Sequence, residues 1–333
     1  MLKISIIIPV YNKSKYLDGL LANIYRQTFP KFECIIIDDG STDASGAICD
    51  KYMEKDNRFN VFHIENQGVS HARNIGIDMA KGEYITFIDA DDEVHLNYLE
   101  NLITCIEKEK VDMVIGAYKK FDDKLKEEEV IKYSQCGEKM LFSSILSDFV
   151  QVQKETGIFG CCVAKIFKRS LIQSVRFDEN FKLAEDLDFY LRVYPKIKTI
   201  YFDDKPYYYY RQQADNSSSL VNDYDIDYLA QLNININFKN FLVNMHTYFG
   251  SNKELIDKII INYMYFSIFY CPMNLIDSRL RYVSFLQNKE DIKLILTDES
   301  VSQKIIFILY KYNFYRLIKF IMFSYRKLKK IER

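Results

Sequence analysis

The stretch YITFIDADDEVHLNYLENL, residues 84 to 102, runs from an apolar segment into three carboxylates, Asp89, Asp91 and Asp92, within four positions. Like charges this close repel unless a cation sits among them, and an acidic turn ending a strand is one way to hold a hard divalent ion by oxygen. The competing reading is a solvated turn whose last carboxylate, Asp92, caps a helix expected from about Val94 to Glu107. A second acidic pair, Glu185–Asp186 in KLAEDLDFYLRVY, opens a segment in which Leu187, Tyr190, Leu191 and Tyr194 fall on one helical stripe. Carboxylates in a first helical turn suit the helix dipole, and they also suit a general base.

These residues need elements to position them. KISIIIPVY and FECIIIDDGSTD read as buried strands. Between them, SKYLDGLLANIYRQTF reads as a helix with Tyr16, Leu17, Leu20, Leu21 and Ile24 on one stripe. A helix in ASGAICDKYMEKD, a short strand in FNVFHIENQG and a helix in VSHARNIGIDMAKG, striped by Ala72, Ile75, Gly76 and Met79, lead into EYITFIDADD. Continuously apolar strands alternating with helices predict an α/β fold, a mostly parallel sheet covered on both faces. Ligands of such sheets bind outside the carboxyl ends of the strands. Four such ends carry polar residues here: Pro9, Val10, Tyr11 and Asn12; Asp38, Asp39, Gly40 and Ser41; Asn66 to Gly68; and Asp89, Asp91 and Asp92.

Further along, residues 121–140 form a charged insert, expected as a loop or hairpin edge. CCVAKIFKRSLI reads as a strand and helix start, and TIYFDDKPYYYYRQQ as a strand pair. After about Leu220 no strand signal recurs. The expected division is therefore 1–220 and a helical region, 221–333.

The chain has 333 residues, 48% apolar and 27% charged, with 26 Tyr, 24 Phe and no Trp. Its net charge of −1 hides an asymmetry, because residues 304–333 hold nine basic residues against the single acid Glu332. That tail interleaves Ile, Phe, Leu and Tyr with its cations, as an interfacial amphipathic helix would. An anionic membrane surface is the expected partner, with packing on a second subunit, a homodimer, as the alternative. Nucleic acid is disfavoured because no recognition fold accompanies the charge. Seven Cys without metal-type spacing fit reduced thiols. The apolar run Ile4–Val10 is too short for a signal sequence, and no transmembrane helix is expected.

SIIIPVYN, IIIDDGSTD, NQGVSHARNIGI, AKGEYITFIDADD and AEDLDF resemble, in order and spacing, the motifs of the family 2 glycosyltransferases, which have the nucleotide-sugar-binding GT-A fold. The resemblance covers about 200 residues and stops near residue 220. It implies transfer of one sugar from a UDP-sugar to a saccharide acceptor, with inversion and with Mn2+ or Mg2+ on the leaving diphosphate. Asp89-Ala90-Asp91 resembles the family's Asp-x-Asp signature, so Asp91, with Asp89 facing ribose or metal, is the implied ligand. Pro9, Val10, Tyr11 and Asn12 match the first nucleotide-contacting turn. Asp38 and Asp39 match a pair of which one carboxylate accepts the uracil N3–H. Asn66 and Arg73 match positions near base and diphosphate. Asp186 matches the catalytic base and Glu185 an acceptor-orienting residue, while Asp188 is expected to be solvated. Arg211, with Ser217, Ser218 and Ser219, resembles a segment that folds over the diphosphate.

The Gln-x-x-Arg-Trp motif of processive members is absent, which disfavours extrusion of a polymer. The implied setting is bacterial capsule, exopolysaccharide or cell-wall glycan synthesis on a lipid-linked acceptor, in the cytoplasm at the inner membrane face. Alternatives are a protein or teichoic-acid acceptor, or a non-catalytic nucleotide-sugar-binding module. A dinucleotide oxidoreductase is disfavoured, because PVYNKS lacks the G-x-G-x-x-G that admits a pyrophosphate.

Overall fold

The computed structural model describes residues 2–122, 128–212 and 228–269. Alternation starts at once: β1 (Ile4–Val10), α1 (Ser14–Tyr25), β2 (Phe32–Asp39), α2 (Ser45–Lys55), β3 (Phe59–Ile64), α3 (Val69–Met79) and β4 (Tyr84–Phe87). β1 and β2 are rich in Ile because both of their faces are covered. α1 buries Leu17, Leu20, Leu21 and Ile24, each worth roughly 1.5–3 kcal/mol when fully removed from water. In α3 the buried set is shifted from the expected stripe: Met79 is exposed, and Ile77 takes the inward place together with Arg73 and Asn74. Gly76 lets α3 lie directly on β1, since a Cβ there would stand 2.3 Å from Ile7 Cγ2.

The chain continues through β5 (Glu93–Val94), α4 (Tyr98–Glu109), β6 (Met113–Asp122), β7 (Glu128–Ile131), β8 (Lys139–Leu141), α5 (Phe149–Thr156), β9 (Lys165–Lys168), α6 (Glu185–Val193) and β10 (Thr199–Gln212). Sheet order is β3-β2-β1-β4-β9-β6-β10-β5, with β7 on β6 and β8 on β10. β3, β2, β1 and β4 pair in parallel, as do β6 and β10. β9 is inserted antiparallel between β4 and β6, so the sheet is mixed beyond its first four strands.

Two local expectations need correcting. TIYFDDKPYYYYRQ is one strand of 14 residues, whose register against β6 shifts between Asp203 and Tyr208. The helix after the acidic turn starts at Tyr98, because Glu93 and Val94 pair with Tyr209 and Tyr208 of β10.

The chain divides into two units, residues 1–220 with 241–247 and residues 221–240 with 248–333. Helices α7 (Tyr228–Asn244) and α8 (Gly250–Phe269) are the described elements after residue 220. In the second unit Lys253 pairs with Asp257 at 2.7 Å, and the Tyr248 hydroxyl donates to the same carboxylate. No helix among the described residues is long and apolar enough to cross a membrane. Ser217 to Ser219, Cys271 and the basic tail lie outside the described residues. The other six cysteines are free thiols.

Candidate active site

A cavity of about 820 Å3 opens at the carboxyl ends of β1, β2 and β4. Its walls bring together Pro9, Val10, Tyr11, Asn12, Asp39, Asn66, Arg73, Asp89, Ala90, Asp91, Glu185, Asp186 and Arg211, residues spread over 200 positions of sequence. Asp38 is not among them. It is buried, with one carboxylate oxygen 2.7 Å from His63 Nδ1 and the other accepting from Ser41 N. That ion pair with Asp38, reinforced by Asp50, raises the His63 pKa.

The wall built on the ends of β1, β2 and β3 is a set of interlocked turns. Asn12, at φ 51°, occupies the left-handed region that Asn tolerates, and its Oδ1 accepts from Thr42 N and Asp43 N, joining the turns after β1 and β2. Asp39 accepts from Gln67 N and Gly68 N, each at 2.8 Å, and Asn66 donates to the Asp39 carbonyl. Gly68, at φ 97°, supplies the backbone conformation that this turn into α3 requires.

At the centre, Arg73 is buried and touches three carboxylates. Its Nη1 lies 2.6 Å from Asp186 and 3.1 Å from Glu185, and its Nη2 lies 3.0 Å from Asp89. The two acidic motifs therefore share one guanidinium, whose Nε has no hydrogen-bond partner. Such a buried cation offsets the repulsion that the acidic turn poses on its own. Asp91 is held from the other side by Lys13 Nζ at 2.7 Å. Desolvation raises the Asp89 pKa against the pull of Arg73. Glu185 is pushed up to about 7 by desolvation and then by the Asp186 charge, with Arg73 opposing. Ala184, immediately before this pair, sits at φ 61°, a strained position for a residue with a Cβ.

Asp92 does not cap a helix. It is buried, accepts from the Tyr208 hydroxyl at 2.6 Å and from Arg211 N at 2.8 Å, and desolvation raises its pKa well above the ordinary range. It thereby clamps β10 to the acidic turn. Arg211 in turn donates from Nε to the Asp91 carbonyl at 3.0 Å, pairs with Glu93, and lies over the rings of Tyr16 and Phe121. Asp188 is not solvated either, because α6 turns it inward, where it pairs with Arg192.

Several wall residues carried no sequence signal, among them Gln153, Gly157, Gly160 and Cys161 from α5 and the turn after it, and Leu183 before the acid pair; Leu187, expected on an apolar helical stripe, lines the wall as well. Lys13 had one: a cation directly after Asn12 in the first turn.

Among the described residues no group of three or more acidic, His or Cys side chains forms a metal cage. A Mg2+ or Mn2+ ion needs none when one or two carboxylates and substrate phosphates hold it. Asp89 and Asp91 are hard oxygen donors on the cavity wall, each already attracting a cation, so their chemistry fits such an ion.

Together, the sheet order and a cavity at its strand ends define the GT-A type of α/β protein. Residues 5–176 match the family model for glycosyl transferase family 2, and the chain belongs to that family. It is 47% identical over 121 residues to glycosyltransferase GlyG of Streptococcus pneumoniae serotype 4, covering 36% of this chain and 40% of that protein. It is 34% identical over 188 residues to the putative glycosyltransferase EpsH of Bacillus subtilis, covering 56% and 52%. The chain thus spans about half or less of the length of these relatives. Its fold matches the crystal structure of S. aureus TarS 1–349 in complex with UDP-GlcNAc, with a TM-score of 0.65, 21% identity, and coverage of 98% of this chain and 92% of that one. TarS is named a poly(ribitol-phosphate) β-N-acetylglucosaminyltransferase.

Proposed function

We propose that this chain transfers a single sugar from a UDP-sugar to a saccharide hydroxyl, with inversion, within the cavity. The observation that carries this reading is the Arg73 junction, which sets the Asp89–Asp91 turn and the Glu185–Asp186 pair against one another in one cavity. The TarS neighbour, solved with UDP-GlcNAc, supports a uridine nucleotide as donor.

Tyr11 offers a ring for the base, Pro9, Val10, Asn12 and Asn66 line the same wall, and the Asp39 carboxylate suits the uracil N3–H. Asp38 takes a supporting part, holding the turn that Ser41 begins. Asp91 and Asp89 would hold Mn2+ or Mg2+, and such an ion supplies charge stabilisation for the departing diphosphate. Arg211 adds a cation on the same side.

Asp186 accepts the proton of the acceptor hydroxyl as its oxygen attacks the anomeric carbon, and Glu185 orients that acceptor. One base and no covalent nucleophile mean direct displacement, hence inversion. The acceptor is read as a lipid-linked saccharide of a bacterial surface glycan, reached at the inner face of the cytoplasmic membrane through the tail.

The test is UDP release from a panel of UDP-sugars, with and without Mn2+ or Mg2+. Release from one of them that requires the ion is the expected result. Failure to bind any uridine nucleotide, by calorimetry, would remove the reading.

A further inference from the structure

Lys165, the first residue of β9, is fully buried, and among the described residues no carboxylate lies within ion-pair distance of its ammonium. Burying an ammonium without a counter-charge costs several kcal/mol, and a methionine of similar length would avoid that cost. What Lys165 Nζ does touch is the end of the cavity wall. It donates to the Cys161 carbonyl, lies 3.3 Å from Cys161 Sγ, and sits 4.8 Å from the centre of the Tyr190 ring. Ala164, at φ 56°, bends the chain in the left-handed sense between that carbonyl and Lys165.

The Cys161 carbonyl belongs to the same peptide group as the Cys162 N–H. That N–H donates to the second oxygen of Asp186 at 3.2 Å, while Arg73 Nη1 holds the first. A cation on the oxygen end of a peptide polarises it and strengthens its N–H as a donor, more so where water is excluded.

We propose that Lys165 is a positioning residue for Asp186, acting through the single Cys161–Cys162 peptide. This rests on the reading of Asp186 as the base. The ammonium fixes the peptide plane, and the polarised N–H fixes the carboxylate oxygen. Asp186 is thus gripped from two directions, by Arg73 of α3 and by a peptide in the turn before β9 that Lys165 holds. The other ionisable groups around it are Glu185 on its own helix, Asp89 at the end of β4, the Cys162 thiol and the Tyr190 hydroxyl.

Without the ammonium the Cys161–Cys162 peptide loses the contact that fixes its plane, and Asp186 loses one of its two fixed partners. The experiment compares wild type, Lys165→Met, Asp186→Asn and the double variant in the full chain, reading UDP affinity, kcat and KM for transfer, and thermal midpoint. For Lys165→Met we expect unchanged UDP affinity and a kcat lowered roughly tenfold with KM for the donor unchanged. In the Asp186→Asn background the same substitution should cost nothing further, because its route is already cut. An unchanged kcat, or an equal loss in both backgrounds, would overturn the relay while leaving the base assignment standing. Full transfer by Asp186→Asn alone would overturn the base assignment and the relay with it. Lys165→Gln, which keeps a donor for the carbonyl but not the charge, gives the same kinetic readout if the methionine variant does not fold.

Discussion

Individual carboxylates of the acidic turn differ by surroundings more than by type. Asp89, Asp91 and Asp92 lie within four positions, yet Asp91 meets Lys13, Asp89 meets Arg73, and Asp92 is buried under Tyr208. Replacing Asp91 by Ala should remove ion-dependent turnover and weaken UDP-sugar binding. Full activity with unchanged Mn2+ dependence would sink its assignment. Glu185 gives a pH prediction whose sign is fixed. Its pKa in the folded chain is about 7, against an ordinary 4.5, so between those values the folded state binds the extra proton. Stability from this group is therefore lost as pH rises from about 4.5 to 7, by up to roughly 3 kcal/mol. Chemical denaturation of Glu185→Gln should show a shallower fall than wild type across that window. Identical slopes would mean that the Glu185 carboxyl is not perturbed.

Among elements, β10 connects the acidic turn to the rest of the sheet. Tyr208 donates to Asp92 and its hydroxyl accepts from Asp89 N, so Tyr208→Phe leaves a buried carboxylate one donor short. A loss of about 1–3 kcal/mol is expected, together with weaker UDP-sugar binding as the turn loosens. An unchanged denaturation midpoint would show that the clamp is dispensable. This clamp was illegible in the sequence, because PYYYYRQ reads as a run of tyrosines with nothing to say which one turns inward beneath an aspartate 116 positions earlier. The opposite holds for β1, β2 and β4, whose apolar runs and polar ends announced both the strands and the edge that carries the cavity. A strand in CCVAKIFKRSLI was legible, but not the place of β9, since its antiparallel insertion between β4 and β6 depends on long-range pairing. Lys165 was hidden for a related reason: nothing local to KIFK marks its first lysine as buried.

On the scale of the whole molecule, the strand ends and the acid pair were legible because they come from local patterns matched to a family. The far wall, Gln153 to Cys161, was not, because its residues are ordinary in type and acquire meaning only by position. The basic segment 304–333 retains its sequence reading alone. Its charge of +8 should make membrane binding salt-sensitive. Deleting from Gln303 onward should release the protein from anionic liposomes in co-sedimentation while UDP-sugar turnover in solution persists. Liposome binding that survives the deletion, with a changed mass by light scattering, would assign the tail to a subunit contact instead.

On the proposed reading, one cavity holds the donor and supplies a separate base for the acceptor. Asp186→Asn separates the two functions, since it keeps the shape of the side chain and removes its basicity. Measured on the same protein, UDP-sugar affinity by calorimetry should stay near wild type while the transfer rate falls by about 10²–10⁴. Transfer at the wild-type rate, or donor affinity lost in proportion to rate, would contradict the account.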